Sequence, residues 1–394
     1  MKLVQINATC GAGSTGKICV AVSKELAGAG IENHILYSSG TSDYPLGICY
    51  MEPLEIKFQA LRSRVFGNYG FNSRRATKRL LDHLDRLQPD VIHLHNMHGH
   101  NCDLEMLLEY IRERKIKLFW TFHDCWVFTG YCPHFAMVGC SNWKTACGDC
   151  PQRRTYSWFF DRSRQLQARK KAALADQDLT IITPSRWLAD LVKESFLGDY
   201  PVKVLHNGID LAVFRPRESD FRQKHGLEDK FIVLGVAFGW GPRKGLDVFL
   251  DLANRLDDRF QIVLVGTDDA VDRQLPANIL SVHRTQNQQE LAELYTAADV
   301  FVIPTREDNF PTVNLESLAC GTPVITFDTG GSPESLDETC GIVVPQNDVD
   351  AMEEAIRRVC LEKPFSPEAC RKRAEEFDQE RCFAQYLDLY RREL

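Results

Sequence analysis

Short β-branched apolar runs alternate with longer stretches of helical periodicity along almost the whole chain. In the first half the apolar runs predict strands over residues 2–7, 33–37, 91–95, 117–122 and 179–183. In the second half they predict strands over 231–236, 261–265, 300–303, 323–326 and 341–344. Apolar positions at three- and four-residue spacing predict helices over 16–29, 75–87, 104–114, 187–195, 245–256, 288–298 and 349–359. Near-continuous apolar strands, each followed by a helical stretch, imply parallel sheets covered on both faces. Two such series in tandem imply an α/β fold of two doubly wound, Rossmann-like domains facing a cleft. The chain then divides into residues 1–205, residues 206–373, and a final amphipathic helix over 374–394. Residues 38–74 carry little pattern and read as irregular. In such sheets ligands sit beyond the carboxyl ends of the strands, so the loops after the strands are where chemistry belongs.

Composition sharpens this picture at a few points. The chain has 394 residues, enough for two cores, with 44% hydrophobic and 26% charged residues, as ordinary globular proteins have. Its formal charge of −7 gives no prompt towards nucleic acid. That charge is unevenly spread: residues 1–205 hold 26 Lys and Arg against 20 Asp and Glu, and the remainder hold 21 against 34. No apolar run approaches the ~18 residues of a membrane span. The opening Met1-Lys2-Leu3-Val4-Gln5-Ile6-Asn7 turns polar at once and reads as a strand. Fourteen cysteines behind such a start suggest a reducing compartment, the cytoplasm.

Two loops stand out. Gly11-Ala12-Gly13-Ser14-Thr15-Gly16-Lys17 follows the first strand and opens a helix, as the start of a phosphate-binding P-loop does. The next position should hold a hydroxyl for magnesium, and it is Ile18, which argues against a P-loop ATPase. A tight turn, or a glycine loop that lets backbone approach an anionic ligand, is the better reading. The second loop, Glu307-Asp308-Asn309-Phe310-Pro311-Thr312-Val313-Asn314-Leu315-Glu316, follows the predicted strand 300–303. Asp308 is expected at a helix entrance and Glu316 inside that helix, a pairing suited to a diphosphate and to the hydroxyls of a ribose or sugar. Read alone, the pair could equally be a capping acid and a solvated helix acid.

The second loop resembles the donor-site signature of retaining family-4 glycosyltransferases, nucleotide-sugar enzymes of the GT-B fold. Cys320-Gly321-Thr322-Pro323-Val324-Ile325, His206-Asn207-Gly208-Ile209-Asp210, Lys244-Gly245-Leu246-Asp247 and Ala298-Asp299-Val300 extend the likeness over nearly the whole chain. Trp120-Thr121-Phe122-His123-Asp124-Cys125-Trp126, with Cys147 and Cys150-Pro151, is similar to the capsule and colanic-acid type subgroup. The resemblance implies that Glu316 holds the nucleotide ribose, that Asp308 positions the donor sugar, and that Lys244 neutralises the diphosphate with help from Arg243. It implies donor contacts at Asn309, Phe310 and Thr312, and at Gly13 in the first loop, and a terminal helix over 374–394 that crosses back to the first domain. His123 would lie near the reacting end of the sugar, with His95 and His98 on the acceptor side. Three departures are visible: Asp308 stands where the family usually has Glu, Gly239 stands where it carries an Arg, and Pro311 stands where Gly is common and so offers no N–H.

The implied activity moves a sugar from a UDP- or GDP-linked donor to a glycan or lipid-linked acceptor in capsule or exopolysaccharide assembly. It needs no catalytic cofactor. A catalytically inactive relative that only binds nucleotide sugar is the alternative. Cys132, Cys140, Cys147 and Cys150 have spacing compatible with a structural zinc, or with reduced thiols or a disulfide. Seven basic residues, at 153, 154, 162, 164, 169, 170 and 171, surround Trp158-Phe159-Phe160. They read either as a solvated basic face or as a surface that rests on anionic membrane lipid, which would make the cytoplasmic protein peripheral to the membrane.

Overall fold

The computed structural model describes Met1–Glu393. It divides into two compact units, one formed by Met1–His206 together with the chain's end from Phe383 onward, the other by Asn207–Cys382. The first contains a seven-stranded sheet: β1 (Lys2–Asn7), β2 (Glu32–Tyr37), β3 (Gly47–Cys49), β4 (Val91–Leu94), β5 (Lys117–Thr121), β6 (Leu179–Thr183) and β7 (Val202–Val204). Their order is β3-β2-β1-β4-β5-β6-β7, with β1 parallel to both β2 and β4. The second unit contains a six-stranded sheet of β8 (Phe231–Val236), β9 (Phe260–Val265), β10 (Ile279–Val282), β11 (Val300–Ile303), β12 (Val324–Phe327) and β13 (Gly341–Val344). Its order is β10-β9-β8-β11-β12-β13, again with parallel pairing. Both sheets reverse direction at their first strand, between β1 and β4 and between β8 and β11. That is the switch point where doubly wound sheets leave a crevice.

The apolar runs become strands because both of their faces are covered. Along β8, Ile232 and Leu234 pack into one core and Val233 into the other. β11 divides in the same way, with Phe301 and Ile303 on one side and Val300 and Val302 on the opposite side. In the first unit, Val4 and Ile6 of β1 face one core, and Leu3 packs with Ile18, Phe383, Tyr386 and Tyr390.

Four differences from the sequence pattern have local causes. Three short strands, β3, β7 and β10, lie next to the edges of the sheets and give too little periodicity to read. The span 38–74 is not irregular: it holds β3 and a helix over Pro53–Phe66. The helix over Thr312–Ala319 begins four residues after Asp308, with Pro311 at its N-cap, so Asp308 lies in the preceding loop and not at the helix entrance. The end of the chain is two helices, Pro367–Glu375 and Gln379–Glu393, not one over 374–394. Between them the backbone of Ile209 pairs with the chain, its N–H donating to Phe377 (2.8 Å) and its carbonyl accepting from Gln379 (3.0 Å). This clip breaks the helix, and only the part from Phe383 onward belongs to the first unit.

The clip requires Gly208, since a Cβ there would lie 2.5 Å from the Gln379 Cα. Gly208→Ala is expected to destabilise the second unit by about 1–3 kcal/mol through overpacking. A melting temperature unchanged from wild type would show that the clip yields without cost.

Candidate active site

At the switch point of the second sheet, three loops meet backbone to backbone. Gly245, in the loop after β8, has φ +75°, and a Cβ there would stand 2.3 Å from the Pro304 carbonyl after β11. Gly330, after β12, has φ +57°, and a Cβ there would collide with the Asp308 carbonyl. Side chains lock the same junction. The Arg306 guanidinium donates to both carboxylate oxygens of Asp247 at 2.7 and 2.8 Å, and also to the Pro242 carbonyl and Asn347. The Arg306 N–H and the Thr305 hydroxyl donate to the Arg243 carbonyl. The loop after β8 is therefore fixed to the loop after β11.

This junction brings Lys244 and Asp308 into an ion pair through one carboxylate oxygen, both side chains being about four-fifths shielded from solvent. Beside them, the Arg243 guanidinium donates to the Glu307 carbonyl at 3.1 Å. Asn309 and Phe310 are buried, with Phe310 packed on Phe377, so these two residues offer a ligand their backbone more than their side chains. Further on, Thr312 opens its helix and Glu316 lies one turn inside it, half-buried, accepting a hydrogen bond from the Tyr295 hydroxyl at 3.1 Å. Asn314 is fully buried and donates to Ser332 and Ser335, which ties that helix to the loop after β12. Gly239 has φ +78° with open space at its Cβ position. An arginine would adopt that backbone only under strain, so this loop is built differently from one that carries Arg there.

The switch point of the first sheet holds a column of imidazoles. His93 and His95 alternate along one face of β4 and its continuation, with ring centroids 4.0 Å apart. His93 is bracketed by the Thr121 hydroxyl (2.8 Å) and the Tyr390 hydroxyl (2.6 Å). His95 Nε2 lies 3.0 Å from the Gln5 carboxamide oxygen, which can only accept, so Nε2 carries the proton. The other nitrogen of the neutral ring then accepts from His123 Nε2 at 3.3 Å. Burial pushes His93 down to about 3 and His123 down to about 4, and holds His95 well below the ordinary imidazole range. His123, half-buried after β5, is thus a neutral ring oriented by His95. His98 Nε2 sits 3.3 Å from Asp124. Around them, Asn7 accepts from the Asn96 N–H at 3.1 Å and joins the loop after β1 to the loop after β4.

Gly13 opens the helix after β1 with φ +67° and nothing within 4 Å of a Cβ position, so its backbone is accessible. Ile18, where a P-loop needs a hydroxyl, is buried in the core beside Leu3 and Val22, and Lys17 is exposed. Placement corrects three expectations from sequence. His95 is buried with both ring nitrogens occupied, so it supports His123 and does not face an acceptor. Lys170 is not part of a basic surface. It is fully buried, donating to the carbonyls of Trp126, Thr129 and Gly130, and it ties its helix to the loop that follows His123. Arg169 is spent on a two-point pair with Glu105.

Cys132 and Cys147 are buried and Cys140 and Cys150 half-buried in one neighbourhood, and burial pushes the Cys132 thiol up to about 12 and the Cys150 thiol up to about 11. No three of these sulfurs lie within 4.8 Å of one another. Among the described residues only Asp269, Asp272 and His283 bring ligand atoms that close.

Sequence reasoning missed Arg306, Asp247, Tyr295 and Asn314, which hold the second site, and Gln5, Asn7, Thr121 and Tyr390, which hold the first. A buried polar residue such as Gln5 in the middle of an apolar strand run was the available signal.

Comparison with known proteins places these two sites in context. The model described as Glycosyltransferase Family 4 matches residues 15–213, and that described as Glycosyl transferases group 1 matches 228–362. The putative colanic acid biosynthesis glycosyl transferase WcaC of Escherichia coli K12 is 24% identical over 92% of this chain and 91% of its own. A D-inositol 3-phosphate glycosyltransferase of Saccharomonospora viridis is 26% identical over 69% of this chain and 66% of its own. Among solved structures, a sucrose-phosphate synthase from Thermosynechococcus elongatus superposes with a TM-score of 0.73 at 19% identity, over 99% of this chain and 98% of that one. HepE of Anabaena in complex with UDP-glucose gives 0.69 at 14% identity, over 99% of both chains. The fold is GT-B.

The histidine column makes stability depend on pH. The three imidazoles are neutral when folded and take up protons near pH 6.5 when unfolded, so below that value the unfolded chain binds more protons. Stability is full above about pH 7 and falls as pH drops from about 6.5 towards 4. Denaturant titrations should show that fall, with a shallower slope in His93→Gln. Equal slopes would mean the rings titrate normally in the native state.

Proposed function

The chain belongs to Glycosyltransferase Family 4, and we propose that this glycosyltransferase is a retaining enzyme that moves a sugar from a nucleoside-diphosphate donor to a glycan or lipid-linked acceptor. The observation that carries the proposal is the shielded Lys244–Asp308 pair, with Arg243 beside it and Glu316 held by Tyr295, at the switch point of the second sheet. Exopolysaccharide or capsule assembly is the setting suggested by the likeness to WcaC, and a UDP- or GDP-linked donor by HepE with UDP-glucose and by the family resemblance.

The chemistry follows from charge. Breaking the bond between the anomeric carbon and the diphosphate oxygen leaves negative charge on the diphosphate. Lys244, Arg243 and the amides of Thr312 and Val313 at the helix start supply fixed positive potential for it. The acceptor hydroxyl oxygen bonds to the anomeric carbon on the face the diphosphate leaves, and its proton passes to the departing phosphate oxygen. Asp308 is paired with Lys244 through one of its carboxylate oxygens. A carboxylate held in that way is a poor nucleophile and a good acceptor, so it positions sugar hydroxyls. Glu316, oriented by Tyr295, accepts from the ribose hydroxyls. His123, neutral at physiological pH, serves a sugar hydroxyl as a hydrogen-bonding partner and not as an acid. Phosphate charge is met by protein cations, so the reaction calls for no metal. Among the described residues no helix is long and apolar enough to cross a membrane, and the protein is proposed to work in the cytoplasm.

Calorimetry with UDP, GDP and ATP tests the donor site. Binding of UDP or GDP is expected, weakened about tenfold or more by Lys244→Ala and by Glu316→Ala, each tenfold being about 1.4 kcal/mol. Binding of ATP alone would defeat the reading. Nucleotide binding without turnover of any common donor sugar would point to an inactive relative.

A further inference from the structure

The helix Pro53–Phe66 is built inside out. Its inward face is largely polar, with Ile56 packed on the core: Gln59 and Ser63 are buried, Ser63 bonds Asn72 and His100, and Glu55 pairs with Arg79. Its outward face is apolar. Leu54, Phe58 and Leu61 follow at i, i+4 and i+7 and are 79%, 63% and 53% exposed. A helix whose only task was to cover the core would show the reverse pattern. At its C-terminal end the carbonyl of Arg64 accepts from the Trp158 N–H at 2.7 Å, which fastens a second exposed apolar group to the first. That group is Trp158, Phe159 and Phe160, at 51%, 62% and 48% exposed, with Phe66 also half-exposed. Single exposed apolar side chains need no explanation, but a stripe joined to an aromatic triad does.

The charge around this surface identifies what covers it. Lys57 and Arg64 flank the stripe on one side of the helix and Arg62 on the other, and all three are exposed. Arg154 is exposed on the segment that leads into the triad, and the Arg162 guanidinium lies over the Phe160 ring, 5.6 Å from its centroid. Residues 1–205, which carry this surface, hold 26 Lys and Arg against 20 Asp and Glu, and here the cations gather at the rim of an apolar face. An apolar stripe that enters the acyl boundary, aromatic rings at headgroup level and Arg or Lys at the rim match an anionic lipid bilayer surface. A copy of this chain, net acidic though it is, would have to bring its own apolar face and also match a cationic rim.

We propose that helix 53–66 and the 158–160 triad together form the surface by which this protein docks on anionic lipid membranes. The proposal goes beyond the transferase reading and stands without it. It also relocates the docking surface expected from sequence, which lay over 153–171: the helix supplies the apolar stripe, and Lys170 lies in the core.

Flotation of the full-length chain with two kinds of vesicle tests this. One is phosphatidylcholine alone; the other contains phosphatidylglycerol at about three parts in ten. The wild type is expected to float with the anionic vesicles and to detach as salt rises. The double variant Phe58→Ser/Leu61→Ser and the single variant Trp158→Ala should each lose about tenfold in partitioning. Leu361→Ser, an exposed apolar change in the other unit, should lose none. Unchanged melting temperatures and unchanged nucleotide calorimetry without vesicles separate docking from folding and from donor binding. Three results would each overturn the proposal: a wild type that stays with the soluble fraction at low salt, a double variant that floats as well as wild type, or a wild-type dimer that the double variant dissolves without any change in flotation.

Discussion

The site at the switch point of the second sheet depends on backbone reaching backbone. Gly245 and Gly330 both adopt left-handed φ, and at both the missing Cβ is what lets one loop touch the carbonyl of another. Any side chain there would push apart the ends of β8, β11 and β12. The Lys244–Asp308 pair, the Arg306–Asp247 fork and the Arg243 contact with Glu307 then lie across a junction already closed by the main chain. In the proposed reaction, rigid placement of this kind would let Lys244 meet developing charge without moving.

The first unit solves a different problem with the same topology. Its switch point is lined by rings that would be costly to bury if charged, and the surrounding sheet keeps them neutral. Gln5, Thr121 and Tyr390 give His93 and His95 the partners that a buried polar ring requires. The result is a fixed tautomer at His95 and, through it, a fixed orientation of His123. The tyrosine comes from the last helix of the chain, so the return of that helix to the first unit is part of how the histidine is held. Lys170 plays a related role, its ammonium bound by three carbonyls of the loop that follows His123.

Helix 53–66 shows that a protein surface can carry a pattern the core does not ask for. Its inner contacts are mainly hydrogen bonds and an ion pair, with Ile56 packed on the core, while Leu54, Phe58 and Leu61 face outward. Periodicity in such a segment reports on a partner and not on the fold, which is why a reading aimed at the fold sees only noise there.

The residues alone determined much of this protein. Ten of the strands and seven of the helices follow from apolar periodicity, because strands buried on both faces are apolar at most positions. Lys244, Asp308 and Glu316 were expected at one site from the resemblance of their segments to family motifs, and the structure pairs Lys244 with Asp308. Tertiary structure decided what such spacing does not encode. It placed Asp308 in the loop, not at the helix start, since Pro311 sets where that helix begins. It turned His95 from a ligand contact into a support, since its partners, in β1 and in the loop after β5, lie 90 and 28 positions away. It brought Arg306 onto Asp247 and Tyr295 onto Glu316 for the same reason. Local sequence fixes the dihedral preferences and burial pattern of a segment, whereas pairings between distant side chains exist only after parallel crossovers have brought the strand ends together.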